Sequence, residues 1–176
     1  MTGKLLAIIL GLSAVLAGAG MYYLQVYGFY YEVEPKPGQD VALLPVGGEA
    51  PQPIAYSSFQ AIDADSSPIR YRACFNTDIS KEQLSGFIPV ENAEPLTAPG
   101  WFDCYDAVAV AEALKTGQAQ AFMSAKNIHY GVDRIVAITL DGKGYVWHAL
   151  NNCGEKAYDG TVVGEECPPR PEETDQ

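Results

Sequence analysis

Basic residues are scarce in this chain of 176: 11 Lys+Arg stand against 22 Asp+Glu, a net charge of −11 at pH 7. Nucleic acid and anionic lipid are held by clustered Lys and Arg, so neither is expected as the main partner. Histidine is rarer still, with only His129 and His148, and no serine lies in a G-x-S-x-G frame. A hydrolase triad therefore has no support. There is no G-x-x-x-x-G-K-[ST] loop, no G-x-G-x-x-G and no H-E-x-x-H, the signatures of nucleotide and zinc-peptidase chemistry. The four cysteines form no C-x-x-C, which thiol redox chemistry would want. Asp63-x-Asp65 lacks the third ligand and the late Glu of a calcium loop and reads as a turn. No spacing among Asp63, Asp65, Asp103, Asp106 and Glu112 marks an acid/base pair, and no internal repeat is visible.

Hydrophobic residues are abundant, at 48%, enough for one core in a domain of ordinary size. They are unevenly spread. From Leu5 to Tyr31 run 27 residues without a charge. About 20 apolar residues cross a bilayer, and Leu5–Leu24 supplies them. Tyr22, Tyr23, Tyr27, Phe29, Tyr30 and Tyr31 follow at the far end, where amphipathic rings prefer the water–lipid interface. Lys4 before the span and Glu32 after it favour a cytoplasmic N-terminus with the rest exported. The rival reading is a signal peptide cleaved after Ala19, with Ala17-Gly18-Ala19 as its A-x-A site. The uncleaved anchor is preferred, because apolar character continues past Ala19. Ala7, Gly11, Ala14 and Gly18 share a helical face that would let a second membrane helix approach closely.

The expected organisation is a short cytoplasmic start and anchor over 1–31, a Pro/Gly-rich stalk over 32–53, an exported domain over 54–167 and a disordered acidic tail over 168–176. Five of the twelve prolines lie in the stalk; its apolar piece Val41–Leu44 is a candidate for docking on the domain. Within the domain, Arg134–Leu140 and Gly144–Leu150 form a hairpin about Asp141-Gly142, with the loop length left open. An earlier strand pair spans Ala55–Ile62 and Ile69–Phe75. In the second of these, Ile69, Tyr71, Ala73 and Phe75 share one face, with Arg70, Arg72 and Cys74 on the other. A short helix is expected over Asp78–Leu84, capped by Thr77 or Asp78, and a longer one over Asp103–Lys115, capped by Asp103. Gln118–Ala125 suits a strand by alternation and a helix by composition. The class is α+β: a transmembrane helix followed by a small domain of antiparallel β-hairpins and two or three short helices.

Cys74, Cys104, Cys153 and Cys167 all follow the span, and an even count on the exported side reads first as two disulfides. Of three connectivities, Cys74–Cys104 with Cys153–Cys167 is preferred because the second closes a local loop. Arg70 and Arg72 beside Cys74 would stabilise a thiolate, though a structural bridge is the favoured fate. A zinc site from His148, Cys153 and Cys167 lacks paired C-x2-C grammar, so no metal or cofactor is expected. His148 aligns with Val146 and Leu150 in mid-strand and is expected to bond to backbone. His129 and Tyr130 fall in a loop, where a polar or functional role is more plausible. Tyr71, Tyr130, Tyr145 and Trp147 are candidates to line a ligand pocket.

Met21–Val33, Ala61–Phe75 and Asn127–Glu155 together resemble a family of small single-span envelope proteins of alphaproteobacteria, known only as a domain of unknown function. The resemblance covers most of the chain, to about Asp159, and implies a bacterial inner-membrane setting without a substrate or catalytic residues. Members are sometimes labelled histidine kinases, which this sequence contradicts, having no nucleotide-binding glycine boxes and too little chain for a kinase domain. The leading expectation is a non-enzymatic membrane-anchored periplasmic domain that binds or assists another envelope protein of unknown identity. A small-ligand sensor or carrier is the first alternative, and an enzyme acting through His129 or His148, with or without a metal, the second.

Overall fold

The uncharged N-terminal run forms helix α1 (Gly3–Tyr23), continued by a π-helical turn over Leu24–Gly28. These elements come from a computed structural model, which describes residues 3–169. Every α1 residue is exposed, and Gly3–Gly28 is long and apolar enough to cross a bilayer. Such a surface is stable only in hydrocarbon, so the helix fits a membrane anchor. Arg170–Gln176, most of the expected acidic tail, lies outside the described residues.

The remaining elements are β1 (Tyr31–Glu32), β2 (Ala42–Leu43), β3 (Gln52–Pro53), β4 (Ser57–Asp63), β5 (Arg72–Asn76), α2 (Lys81–Leu84), α3 (Ala107–Lys115), β6 (Ala119–His129), β7 (Val132–Thr139) and β8 (Lys143–Leu150). Six strands form one sheet in the order β1-β4-β5-β8-β7-β6, antiparallel throughout, and β2 pairs with β3 apart from it. An antiparallel-sheet domain with a few short helices behind an apolar helix is the α+β arrangement expected.

Alternate side chains of a strand point to opposite faces, and here both faces are covered. On one, Ala73, Phe75, Val136 and Val146 meet Val41, Leu43, Ile54 and Leu84. On the other, Cys74, Ile135, Ala137 and Trp147 meet Phe102, Tyr105 and Val110. A strand buried on both sides gains by being apolar at every position, which is why β7 reads as a nearly continuous apolar run. Within the Pro/Gly-rich stretch over 32–53, Val41 and Leu43 are fully buried, and the Leu44 N–H donates to the Met123 carbonyl at 2.8 Å.

Several local expectations are corrected. Of Gln118–Ala125, which suited either strand or helix, residues 119–125 are strand, because their backbone pairs with β7. His129 is the last residue of that strand and not part of a loop. The longer helix begins at Ala107, not near Asp103, and Asp106 caps it by accepting from Val108 and Ala109 N–H at 2.9 and 3.1 Å. The preceding residues cannot join it because Cys104 is bonded to Cys74 and Phe102 and Tyr105 are turned into the core. Ser80, not Thr77 or Asp78, caps α2 in a reciprocal box with Gln83, while the Thr77 hydroxyl donates to the Ala55 carbonyl at 2.7 Å. The hairpin loop has three residues, Leu140–Gly142, with Gly142 at φ +81° as such loops require.

The disulfides are Cys74–Cys104 and Cys153–Cys167. The first fastens the segment covering one sheet face to central strand β5. The second closes a loop outside the sheet, which Lys126 also holds by its 2.7 Å ion pair with Glu165.

Candidate functional site

Strand register assembles a polar row that the linear sequence does not display. Tyr31 pairs with Asp63 and Arg134 with His148 across neighbouring strands. Tyr71, just ahead of β5, stacks on the His148 ring at 4.8 Å between centroids. The Arg134 guanidinium lies over the Tyr71 ring at 4.4 Å. His129 meets His148 edge-on at 5.7 Å, so the two histidines, 19 positions apart, share one cluster.

His148 is 1% exposed and both of its nitrogens are engaged. Nε2 accepts from Arg134 Nε–H at 3.0 Å, which places the proton on Nδ1, 2.7 Å from the Pro68 carbonyl it donates to. The expected backbone bond is thus present, and a side-chain donor accompanies it. Burial, foremost, and the Arg134 charge depress its pKa to about 4, against the favourable pull of the Pro68 carbonyl. The ring is a neutral pin between β8, β7 and the 64–70 turn, with no free lone pair to act as a base. Burial likewise pushes the Tyr71 phenol up to about 12, with Arg134 opposing. The Asp63 carboxyl is raised by burial, against the Ala64 N–H and the charges of His129 and Arg134.

Arg72 is almost completely buried and among the described residues has no carboxylate ion-pair partner. It donates instead to four carbonyls: Tyr71 at 2.6 Å, Ile69 at 2.8 Å, Leu96 at 2.9 Å and Thr97 at 3.0 Å. Carbonyl oxygens spread around a planar fork solvate the charge and tie the 94–98 segment to the sheet. Burial holds its pKa below the usual arginine value.

Arg70, two residues earlier, has a different set of partners. It donates to the Gln25 side chain in the π-helical turn and lies 5.4 Å over the Tyr30 ring. Beside it, Trp101 Nε1–H donates to the Val26 carbonyl at 2.7 Å, and its ring stacks on Tyr27 and meets Tyr30 edge-on. A π-helical turn frees backbone carbonyls from the regular ladder, and Trp101 satisfies one of them. The end of the apolar helix is thereby seated on the domain.

The four aromatic residues considered as one pocket do not share a cavity. Tyr71 belongs to the core on one face, and Tyr145 and Trp147 to the core on the other. Trp147 is fully buried and its Nε1 has no hydrogen-bond partner among the described residues. Tyr130 is partly exposed beyond β6. The structure therefore brings together His129 and His148, gives Arg70 and Arg72 different hydrogen-bond partners, and puts Trp147 on the side opposite His148. Ala7, Gly11, Ala14 and Gly18 lie exposed along α1. Among the described residues no group of three or more His, Cys, Asp or Glu could hold a metal ion.

Sequence reading missed Arg134 and Trp101, and it put Asp63 in a turn where it is the last residue of β4. A three-residue hairpin loop sets Arg134 opposite His148, so loop length was the signal for the first. Nothing local marks Trp101, whose partner Val26 is 75 positions away. A groove of about 650 Å³ lies instead between the start of β4 and α2, lined by Ile54, Tyr56, Asn76, Ile79 and Phe87 among others.

Residues 41–168 match a family of unknown function, DUF6446. No curated protein and no solved structure matches the chain.

Proposed function

We propose that this chain, which belongs to the DUF6446 family of unknown function, is a membrane-anchored interaction or accessory domain for another envelope protein. The observation that carries the reading is the seating of the domain on its own apolar helix through Trp101, Arg70 and Tyr30. A domain held against its anchor presents one fixed face at a fixed height above the bilayer, which suits a partner in the same membrane. Lys4 and Glu32 at the ends of the uncharged run favour a cytoplasmic N-terminus. Two disulfides suit an oxidising compartment, so the domain is assigned to the periplasmic side of a bacterial inner membrane. The alphaproteobacterial source and the single uncleaved span belong to the same proposal, as does packing of a partner helix on the Ala7, Gly11, Ala14 and Gly18 face.

Purification from native membranes in mild detergent tests this reading. A defined stoichiometric partner is expected with the full chain, lost when α1 is replaced by an unrelated span or Trp101 by Ala. A chain that always runs alone overturns it.

The β4–α2 groove favours a second reading, a small-ligand sensor or carrier, because its volume and mixed lining suit a metabolite-sized molecule. A ligand that binds only the folded state raises the melting temperature. No shift across a broad metabolite library removes that reading.

A further inference from the structure

β4 is the penultimate strand of the sheet, yet β1 covers only part of it. β1 pairs with Ile62 and Asp63, and Val33 N–H adds one bond to the Ala61 carbonyl at 2.9 Å. Beyond Val33 the chain makes no further strand pairing, although Glu34 and Pro35 stay beside the edge, and among the described residues nothing pairs with Ser57–Gln60 on that side. A row of unpaired backbone groups on a sheet edge is a template for another extended strand. The strand bulges between Ser57 and Gln60, with Ser58 at φ +52°, which confines regular pairing to the short stretch next to β1.

Beside this edge lies a cavity of about 380 Å³, whose apolar wall is Phe59, Trp101 and Phe102 and whose rim carries Glu32, Glu34 and Asp103. The three carboxylates are exposed, no cation lines the cavity with them, and none has an ion-pair partner among the described residues. Open edge, apolar floor and acidic rim occur together. We propose that this edge of β4 docks an extended, alternating basic and apolar segment of another polypeptide, which continues the line of β1. Main-chain bonds to β4 would hold the segment, an apolar side chain would enter the cavity, and Lys or Arg would face the three carboxylates. The inference rests on the accessory-domain reading and names the chemistry of its partner.

The test uses the full chain in detergent micelles and the labelled peptide acetyl-Lys-Val-Lys-Phe-Lys-Val-amide. Saturable binding is expected, with slowed amide exchange at residues 59–61, the stretch next to β1. A peptide with Glu for Lys, and one with alternate amides N-methylated, should each bind at least about tenfold more weakly. The double variant Glu34→Lys/Asp103→Lys should weaken the basic peptide by a similar factor while leaving far-UV circular dichroism unchanged. Phe59→Ala, which keeps the backbone, should weaken binding without altering its salt dependence. No saturation below about 1 mM, equal binding of the N-methylated peptide, or exchange protection elsewhere overturns the proposal. Should those results appear while a stoichiometric partner still co-purifies, this edge is excluded and the accessory reading stands.

Discussion

Gly144 shows how a single missing side chain decides packing. It faces Phe75 across the β5–β8 pair, and a Cβ there would lie 2.0 Å from the ring. Phe75 is 2% exposed and has no room to retreat, so Gly144→Ala should cost about 1–3 kcal/mol. A urea midpoint that falls with an unchanged slope would establish this; an unaltered midpoint would refute it. His148 makes the domain acid-sensitive. Its pKa is about 4 folded and 6.5 unfolded, so the neutral ring's contribution is complete above pH 6.5 and is lost as pH falls toward 4. The loss is on the order of 3 kcal/mol across that window. Asp63, raised by burial above its usual 3.8, works in the opposite sense, since its contribution is lost as pH rises through the raised value. His148→Gln should therefore flatten the stability profile most clearly in the upper half of the window; a slope equal to wild type would count against the pin.

Among the elements, the two disulfides have different consequences because they join different things. Cys153–Cys167 closes a loop of 14 positions beyond β8, worth ~3 kcal/mol to that loop in the chain-entropy model. Cys153→Ser with Cys167→Ser should speed proteolysis within 151–167 while the urea midpoint of the sheet stays near wild type. Cys74–Cys104 instead holds Phe102 and Tyr105 over one sheet face. Cys74→Ser with Cys104→Ser should lower the global midpoint, and equal effects of the two pairs would refute the distinction. The helices teach a related lesson. Caps and composition located both, but their starts depended on which residues the tertiary fold had already claimed: Thr77 for the Ala55 carbonyl, Cys104 for the disulfide.

At the scale of the molecule, Trp101 couples the domain to the apolar helix. Trp101→Ala should leave domain stability within about 1 kcal/mol, since the residue is 36% exposed, while amide exchange over residues 24–33 accelerates. Unchanged exchange there would show that the seating does not depend on this side chain. The acidic rim at Glu32, Glu34 and Asp103 stands beside the same junction, so the helix end and the open sheet edge form one continuous region.

The sequence by itself determined the apolar helix, the central hairpin and the α+β class. Each is written in local pattern: an uncharged run, a turn between apolar strands, short capped helical segments among them; the cysteines allowed three pairings, and the fold decided which one forms. Tertiary structure alone decided the rest. Whether 118–125 was strand or helix turned on having β7 beside it, since both periods fitted the local residues. The histidine cluster, the Arg72 carbonyl cage and the Trp101–Val26 bond join residues far apart in the chain. Their partners are set by register and by loop closure, neither of which leaves a mark on any one stretch of sequence.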